Sequence, residues 1–112
     1  MEVQFKTKKL HKQLTTERDM VRIHGKRRAA LIQQRLSEIE AAPNLHILGL
    51  LPMPRLHPLK GNRQGQLSVD LDHPYRLLFE PAHDPVPQLA AGGIDPHNII
   101  SVKILEIADT HE

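Results

Sequence analysis

At 112 residues, the chain has the length of a single domain (residues 1–112) and can bury a core without disulfide staples. It contains no cysteine, which excludes disulfides and thiolate metal sites. No apolar run approaches the roughly 20 residues of a membrane-spanning helix, and the first residues lack the apolar stretch of a signal peptide. We therefore expect a cytoplasmic protein with no membrane partner.

The net charge of +2 hides an asymmetry between the two ends of the chain. Residues 1–63 hold 13 of the 15 Lys and Arg and five of the 13 acidic residues, a net +8, whereas residues 64–112 have a net −6. Such an asymmetry indicates a polyanionic partner for the basic part. The alternative for the N-terminal cations is a solvated helix face, since Lys and Arg are ordinary helix formers.

The first elements are predicted to be a short strand and a helix. Residues 3–6 alternate between apolar and polar side chains, which is typical of a strand. A helix is predicted to begin after Thr7. A capping pattern at Thr16 restarts it through Ile23, and Gly25 is a plausible stop.

A second helix is predicted from about residue 26 to residue 42. Apolar residues recur there at three- and four-residue spacing and form one stripe: Ala29, Ile32, Leu36 and Ile39. Pro43 and Asn44 end this helix. Residues 44–54 are apolar and bounded by proline, which favours a covering loop or a short turn of helix.

The second part of the chain is predicted to be mostly strands. Alternating or β-branched runs indicate strands at about residues 55–59, 66–71, 75–81 and 99–107. The last run is almost continuously apolar, which is typical of a central strand. Residues 82–98 are rich in Pro, Gly, Ala and Asp and are predicted to form a surface loop.

This order of elements predicts an α+β fold. Strands joined by short turns are antiparallel, and helices that precede them in the chain cover one side of the sheet. We therefore expect two N-terminal helices packed on one face of a small, mainly antiparallel, twisted sheet.

The predicted hairpin at residues 55–65 concentrates the side chains that phosphodiester chemistry needs. Arg55, His57, Lys60 and Arg63 lie within nine residues, on a strand and a glycine turn. Cations hold a phosphate and stabilise its developing charge, and an imidazole exchanges protons near neutral pH. The hairpin is therefore the first candidate for a functional site.

Three segments together resemble the HigB branch of the RelE/ParE toxin superfamily of bacterial toxin–antitoxin systems. They are the basic hairpin at 55–65, Tyr-Arg-Leu-Leu-Phe at 75–79 and Ile-Ala-Asp-Thr-His at 107–111. The resemblance covers nearly the whole chain. It implies a RelE-like fold and ribosome-dependent cleavage of mRNA in the A site, with no metal and no cofactor.

The resemblance also implies roles for individual residues. His57 and His111 would be the acid–base pair, with the order of their roles unassigned. Asp109 would orient a neighbouring histidine, raise its pKa or act as a base itself. The cations that would bind the phosphate and stabilise its charge are Arg55, Lys60, Arg63 and Arg76.

A metal site is an alternative to the acid–base pair. Asp109 and His111, together with His57, offer oxygen and nitrogen ligands. The remaining histidines lack ligand spacing in the sequence, so no metal is expected.

Two features depart from the HigB pattern. Thr110 stands where these toxins usually have a tyrosine, and residues 82–98 replace what is usually a short turn. Because of these departures, a non-catalytic binding protein with the toxin fold is one alternative. A ParE-like inhibitor of DNA gyrase is the other alternative, although a gyrase binder needs no acid–base pair.

The resemblance implies three partners. The first is a HigA-like helix-turn-helix antitoxin, and the second is mRNA on the ribosome. The third is operator DNA, which the protein would contact only through the antitoxin.

Overall fold

The structure of the protein is a computed structural model and describes residues 1–109. The helices are α1 (Lys8–Thr15), α2 (Glu17–Ala41) and α3 (Leu45–Leu50). The strands are β1 (Glu2–Phe5), β2 (His57–Pro58), β3 (Leu67–Asp70), β4 (Tyr75–Pro81) and β5 (Ser101–Asp109). Two short 3₁₀ turns lie in the connections, at Gly61–Arg63 and Pro96–Asn98.

The five strands form one mixed sheet in the order β1-β5-β4-β3-β2. β1 runs parallel to β5, and every other neighbouring pair is antiparallel. β5 is flanked by β1 and β4, so the expected interior position of this apolar strand is confirmed. The helices precede β2 in the chain and cover one face of the sheet, which confirms the predicted α+β fold.

The core lies between that face and the helices. Apolar side chains of the second part of α2 and of α3 are fully or almost fully buried: Ala29, Ile32, Leu36, Ile39, Leu45 and Leu48. The strands contribute Leu67, Val69, Leu77, Phe79, Val102 and Ile104. The predicted stripe of α2 is therefore the stripe that packs on the sheet.

Gly25 divides α2 into two segments, as its predicted role as a stop anticipates. Its φ of 80° and ψ of 164° are non-helical, and the positive φ favours glycine because it has no Cβ. Thr7 caps α1, since its Oγ1 accepts a hydrogen bond from the Leu10 N–H at 3.0 Å. Thr16 precedes α2 as predicted, but its side chain accepts no capping hydrogen bond within residues 1–109.

Two predicted segments take a different form in the structure. Residues 45–50 form the helix α3 because the Asn44 side chain caps it, accepting from the Ile47 N–H at 2.9 Å. The predicted strand at 55–59 is shortened to His57–Pro58. Arg55 has a φ of 50°, which is incompatible with a strand and turns the chain just before β2.

The long connection at 82–98 lies on the surface, as predicted, and hydrogen bonds hold it near both of its ends. The Nε2 atom of His83 accepts hydrogen bonds from the N–H groups of Ile100 and Ser101, at 3.1 and 3.3 Å. The Asp95 carboxylate caps the 3₁₀ turn that leads into β5. None of the helices formed by residues 1–109 is long and apolar enough to cross a lipid bilayer.

Candidate active site

The face of the sheet that the helices leave uncovered carries the predicted cations and the imidazole. Residues paired across neighbouring strands point to the same face of a sheet. The register places His57 opposite Ser68, and it places Asp70 opposite Arg76. Val69 alternates with these residues and lies in the core, so His57, Asp70 and Arg76 share the open face.

A cavity of about 440 Å³ opens on this face. Its lining consists of Arg55, Leu56, His57, Asp70 and Arg76. Three of the predicted site residues, two arginines and the histidine, are therefore brought together from β2, the turn just before it and β4. The arrangement is suited to binding an anion beside a group that exchanges protons.

Asp70 is the one acidic side chain in the lining of this cavity, and the sequence analysis missed it. Its carboxylate lies between the two arginines, with Arg76 Nε at 3.4 Å and Arg55 Nε at 3.7 Å. Arg76 is only 29% exposed, whereas Arg55 is 76% exposed. Arg76 is therefore held on its strand, while Arg55 reaches the carboxylate from the solvent side.

The backbone of Asp70 is fixed on both sides. Its N–H donates to the Pro54 carbonyl at 2.7 Å, and its carbonyl accepts from Arg35 Nε at 2.6 Å. Arg35 is almost completely buried on α2 and also pairs with Glu38 at 2.9 Å. A buried, hydrogen-bonded arginine thus connects the helix layer to the strand that carries the cavity carboxylate.

The remaining predicted cations lie in the turn after β2, outside the lining of the cavity. Lys60 is exposed and immediately precedes the 3₁₀ turn. Arg63 is half-buried, and its Nη1 lies 3.2 Å from Gln66 Oε1 and 3.5 Å from the carboxylate of Glu106 on β5. Lys60 is thus presented to solvent, while Arg63 is engaged across the open face.

The strand register separates Asp109 from the cavity. Asp109 pairs with Tyr75, and its neighbour Ala108 pairs with Arg76, so Asp109 points to the face opposite Arg76. The cause is a bulge on β5 next to the Leu78/Phe79 step, which shifts the alternation by one residue. His111 and Thr110 lie outside the described residues.

Ser68 is completely buried beside His57 on the same face. No described residue forms a hydrogen bond with its hydroxyl oxygen.

A second arginine–aspartate cluster lies on the helix side of the sheet. Arg28 of α2 binds the Asp72 carboxylate through two nitrogens, at 2.8 and 3.1 Å, and stacks 3.6 Å above the Tyr75 ring. The hydrogen bond between the two side chains lowers the pKa of Asp72 and raises the pKa of Arg28. Burial, followed by the charge of Arg28, lowers the pKa of the nearby His24.

The part of the chain that the structure describes contains no group of three or more His, Asp or Glu arranged to hold a metal ion.

Comparisons with known proteins agree on the fold. No family model and no curated protein matches this sequence. The YoeB–YefM complex from Staphylococcus aureus matches with a TM-score of 0.56 and 15% identity, over 100% of this chain and 98% of that chain. A YoeB/ParE toxin from Agrobacterium tumefaciens matches with a TM-score of 0.57 and 11% identity, over 99% and 100% of the two chains. The chain therefore has the fold of the RelE/ParE-type toxins.

Proposed function

We propose that the protein is the toxin of a type II toxin–antitoxin system, of the HigB type, and that it is a ribosome-dependent mRNA endoribonuclease. The observation that carries this proposal is the cavity on the open face, where Arg55, His57 and Arg76 meet. The toxin fold of the two solved neighbours supports it as well.

The proposed reaction is an attack of a ribose 2′-oxygen on the adjacent phosphorus. The 2′-hydroxyl loses its proton to a base, the new P–O bond forms, and the bond to the 5′-oxygen breaks as an acid protonates that oxygen. His57 supplies one of these two roles from the rigid hairpin, and His111 supplies the other. Proton exchange of this kind contributes roughly 10²–10⁴-fold to a rate.

The cations of the site stabilise the charge that builds up on the phosphate. Arg76 is positioned on a strand, so it offers a preorganised donor at low cost in reorganisation. Arg55 closes on the phosphate from the solvent side, and Lys60 and Arg63 contribute from the turn. Because the register places Asp109 on the other face, we assign it no contact with His57 or with the phosphate.

We further propose that the toxin is cytoplasmic and is silenced by a HigA-like helix-turn-helix antitoxin encoded beside it. One of the solved neighbours is itself a complex of YoeB with YefM, which supports a partner of the antitoxin kind. Operator DNA would be bound by the antitoxin within this complex.

The test is cleavage of a defined mRNA on purified ribosomes, mapped by primer extension. Wild-type protein should cut in the A site, and His57→Ala and His111→Ala should each lose most of the activity. His97→Ala is the matched control, since His97 is an exposed loop histidine stacked on His46, outside the lining of the cavity.

Two other outcomes would replace the proposal. Growth arrest with an SOS response that persists in His57→Ala would indicate a ParE-like gyrase inhibitor. A folded protein that neither arrests growth nor cuts mRNA would be a non-catalytic binding protein with the toxin fold.

A further inference from the structure

We propose that Asp70 is a built-in competitor of the substrate phosphate. In the free protein its carboxylate occupies the position between Arg55 and Arg76 that an RNA phosphate would take. The carboxylate holds the two guanidinium groups in place, and its ion pairs with them are replaced by those of the phosphate when RNA binds. The cleavage part of this inference rests on the proposed function, whereas the binding part does not.

The geometry of the cavity is the first support. Asp70 lies directly opposite Arg76 in the β3–β4 register, and both side chains line the same cavity. Arg55, from a different segment, approaches the other carboxylate oxygen. Two cations from separate segments therefore converge on one anionic group inside the cavity, which is the arrangement a bound phosphate would require.

The lengths of these contacts are the second support. The Nε–O distances of 3.4 and 3.7 Å are longer than the 2.7–2.9 Å of a strong charge-assisted hydrogen bond. The Arg28–Asp72 pair in the same protein reaches 2.8 Å, so a closer pair is attainable in this fold. Contacts of this length are easier to exchange for those of a phosphate than the contacts of the Arg28–Asp72 pair.

The anchoring of Asp70 is the third support. The hydrogen bonds with Pro54 and Arg35 fix its backbone, so the carboxylate cannot withdraw with the strand when a ligand enters. A phosphate must therefore compete with a fixed negative charge a few ångströms away. In solvent-like surroundings, two unit charges about 4 Å apart interact with about 1 kcal/mol, which corresponds to a factor of about five in affinity.

This arrangement has a consequence that a purely structural role would not have. Replacing Asp70 by asparagine keeps its size but removes the competing charge, so anions should bind more tightly. A structural carboxylate would show the opposite, because its loss would loosen the two arginines and weaken binding.

The experiment compares Asp70→Asn, Asp70→Glu and wild-type protein at low salt. The probe is a short single-stranded oligoribonucleotide carrying 2′-O-methyl groups, which cannot be cleaved, and binding is followed through the NMR signals of the Arg55 and Arg76 Nε–H groups. We expect Asp70→Asn to bind about three- to tenfold more tightly. Asp70→Glu retains the negative charge and should bind within about twofold of wild type.

The matched control is Glu80→Gln. Glu80 lies on β4, opposite Lys103 of β5, and also points to the open face. Its Oε1 is 3.9 Å from Lys103 Nζ, and it does not line the cavity. Its substitution should change binding by less than about twofold, because its charge is farther from the two arginines. Equal tightening in Glu80→Gln and Asp70→Asn would overturn the proposal in favour of a general charge effect.

Binding and cleavage are measured separately, so the two proposals fail separately. At saturating ribosomes, Asp70→Asn should also cut more slowly, since its arginines are no longer held in place before the phosphate arrives. A wild-type protein that never cuts mRNA would end the nuclease proposal and leave the binding comparison intact. Unchanged or weaker binding by folded Asp70→Asn would end the competitor proposal, whatever the cleavage result.

Discussion

Two arginine–aspartate clusters, whose aspartates are only two residues apart, differ in how closely the opposite charges approach each other. At Asp72, the Nε and Nη2 atoms of Arg28 donate to the two carboxylate oxygens at 2.8 and 3.1 Å, and Arg28 also stacks on Tyr75. At Asp70, two arginines lie at 3.4 and 3.7 Å around one carboxylate, next to an open cavity.

This difference is the basis on which we propose a structural contact at Asp72 and a binding site at Asp70. The Asp72 cluster joins α2 to the turn between β3 and β4, and each of its charged groups is satisfied within the protein. The Asp70 cluster has longer contacts and lines an open cavity, which is the arrangement we propose for exchanging partners. In our proposal, the same residue types serve stability on one side of the sheet and ligand binding on the other.

The largest expected effect comes from exchanging one arginine of each cluster for glutamine. Arg76→Gln should lower cleavage about 10²–10³-fold, because a preorganised donor to the transition state is lost. Its free energy of unfolding should stay within about 1 kcal/mol of wild type. Cleavage is measured on ribosomes, and stability by urea denaturation.

Arg28→Gln is the counterpart and should show the reverse pattern. Its free energy of unfolding should fall by about 2 kcal/mol, since a charge-assisted pair and a cation–π contact are lost. Cleavage by the folded fraction should remain within about twofold. If Arg28→Gln damaged catalysis as severely as Arg76→Gln, the distinction between the clusters would not hold.

The next effect concerns the buried support of the cavity. Arg35→Leu should destabilise the fold by about 2–4 kcal/mol, because it leaves the carbonyl of Asp70 and the carboxylate of Glu38 without their donors. Urea denaturation measures the loss. Arg18→Leu, an exposed position on the same helix, should change stability by less than about 0.5 kcal/mol, and an equal loss there would contradict the assignment.

A smaller effect is expected in acid. Arg28 holds the pKa of Asp72 below its ordinary value of 3.8, so the pair stabilises the fold fully above that pH and loses its contribution as the pH falls through the lowered pKa. Asp72→Asn should cost about 1–2 kcal/mol at neutral pH and flatten the decline of stability below about pH 4. An unchanged acid decline would assign it to other carboxylates.

The smallest effect involves His24. Burial and the charge of Arg28 lower its pKa, with Asp72 opposing them, so the unfolded chain binds a proton more readily than the folded one. Stability should therefore fall as the pH drops below the ordinary value of 6.5. His24→Gln should reduce the difference between urea midpoints at about pH 7.5 and about pH 5.5, and a difference as large as that of wild type would contradict this.

Local patterns in the sequence predict much of the fold. Strand β4 is predicted at its observed residues, 75–81, because turn residues bound a clear apolar run. The break at Gly25 is also predictable, since glycine alone tolerates the required φ at low cost. The start of α3 is less accessible, because a six-residue helix depends on its Asn44 cap and on packing against the sheet.

The candidate site is only partly predictable from the sequence. The convergence of Arg55, His57 and Arg76 follows from a hairpin next to a strand. The face of Asp70 follows from its alternation with the apolar Val69, but its contacts with Arg55 and Arg76 depend on how three segments meet in the fold. The face of Asp109 was not predictable, because a bulge of one residue on β5 reverses every side chain after it.

The brevity of β2 has a consequence for how the protein behaves without a partner. An edge strand with a long row of unpaired N–H and C=O groups recruits strands from other molecules and leads to aggregation. This edge offers only His57 and Pro58, and proline has no N–H to donate. At this edge another chain therefore gains little by adding a strand, and the adjoining cavity is left uncovered.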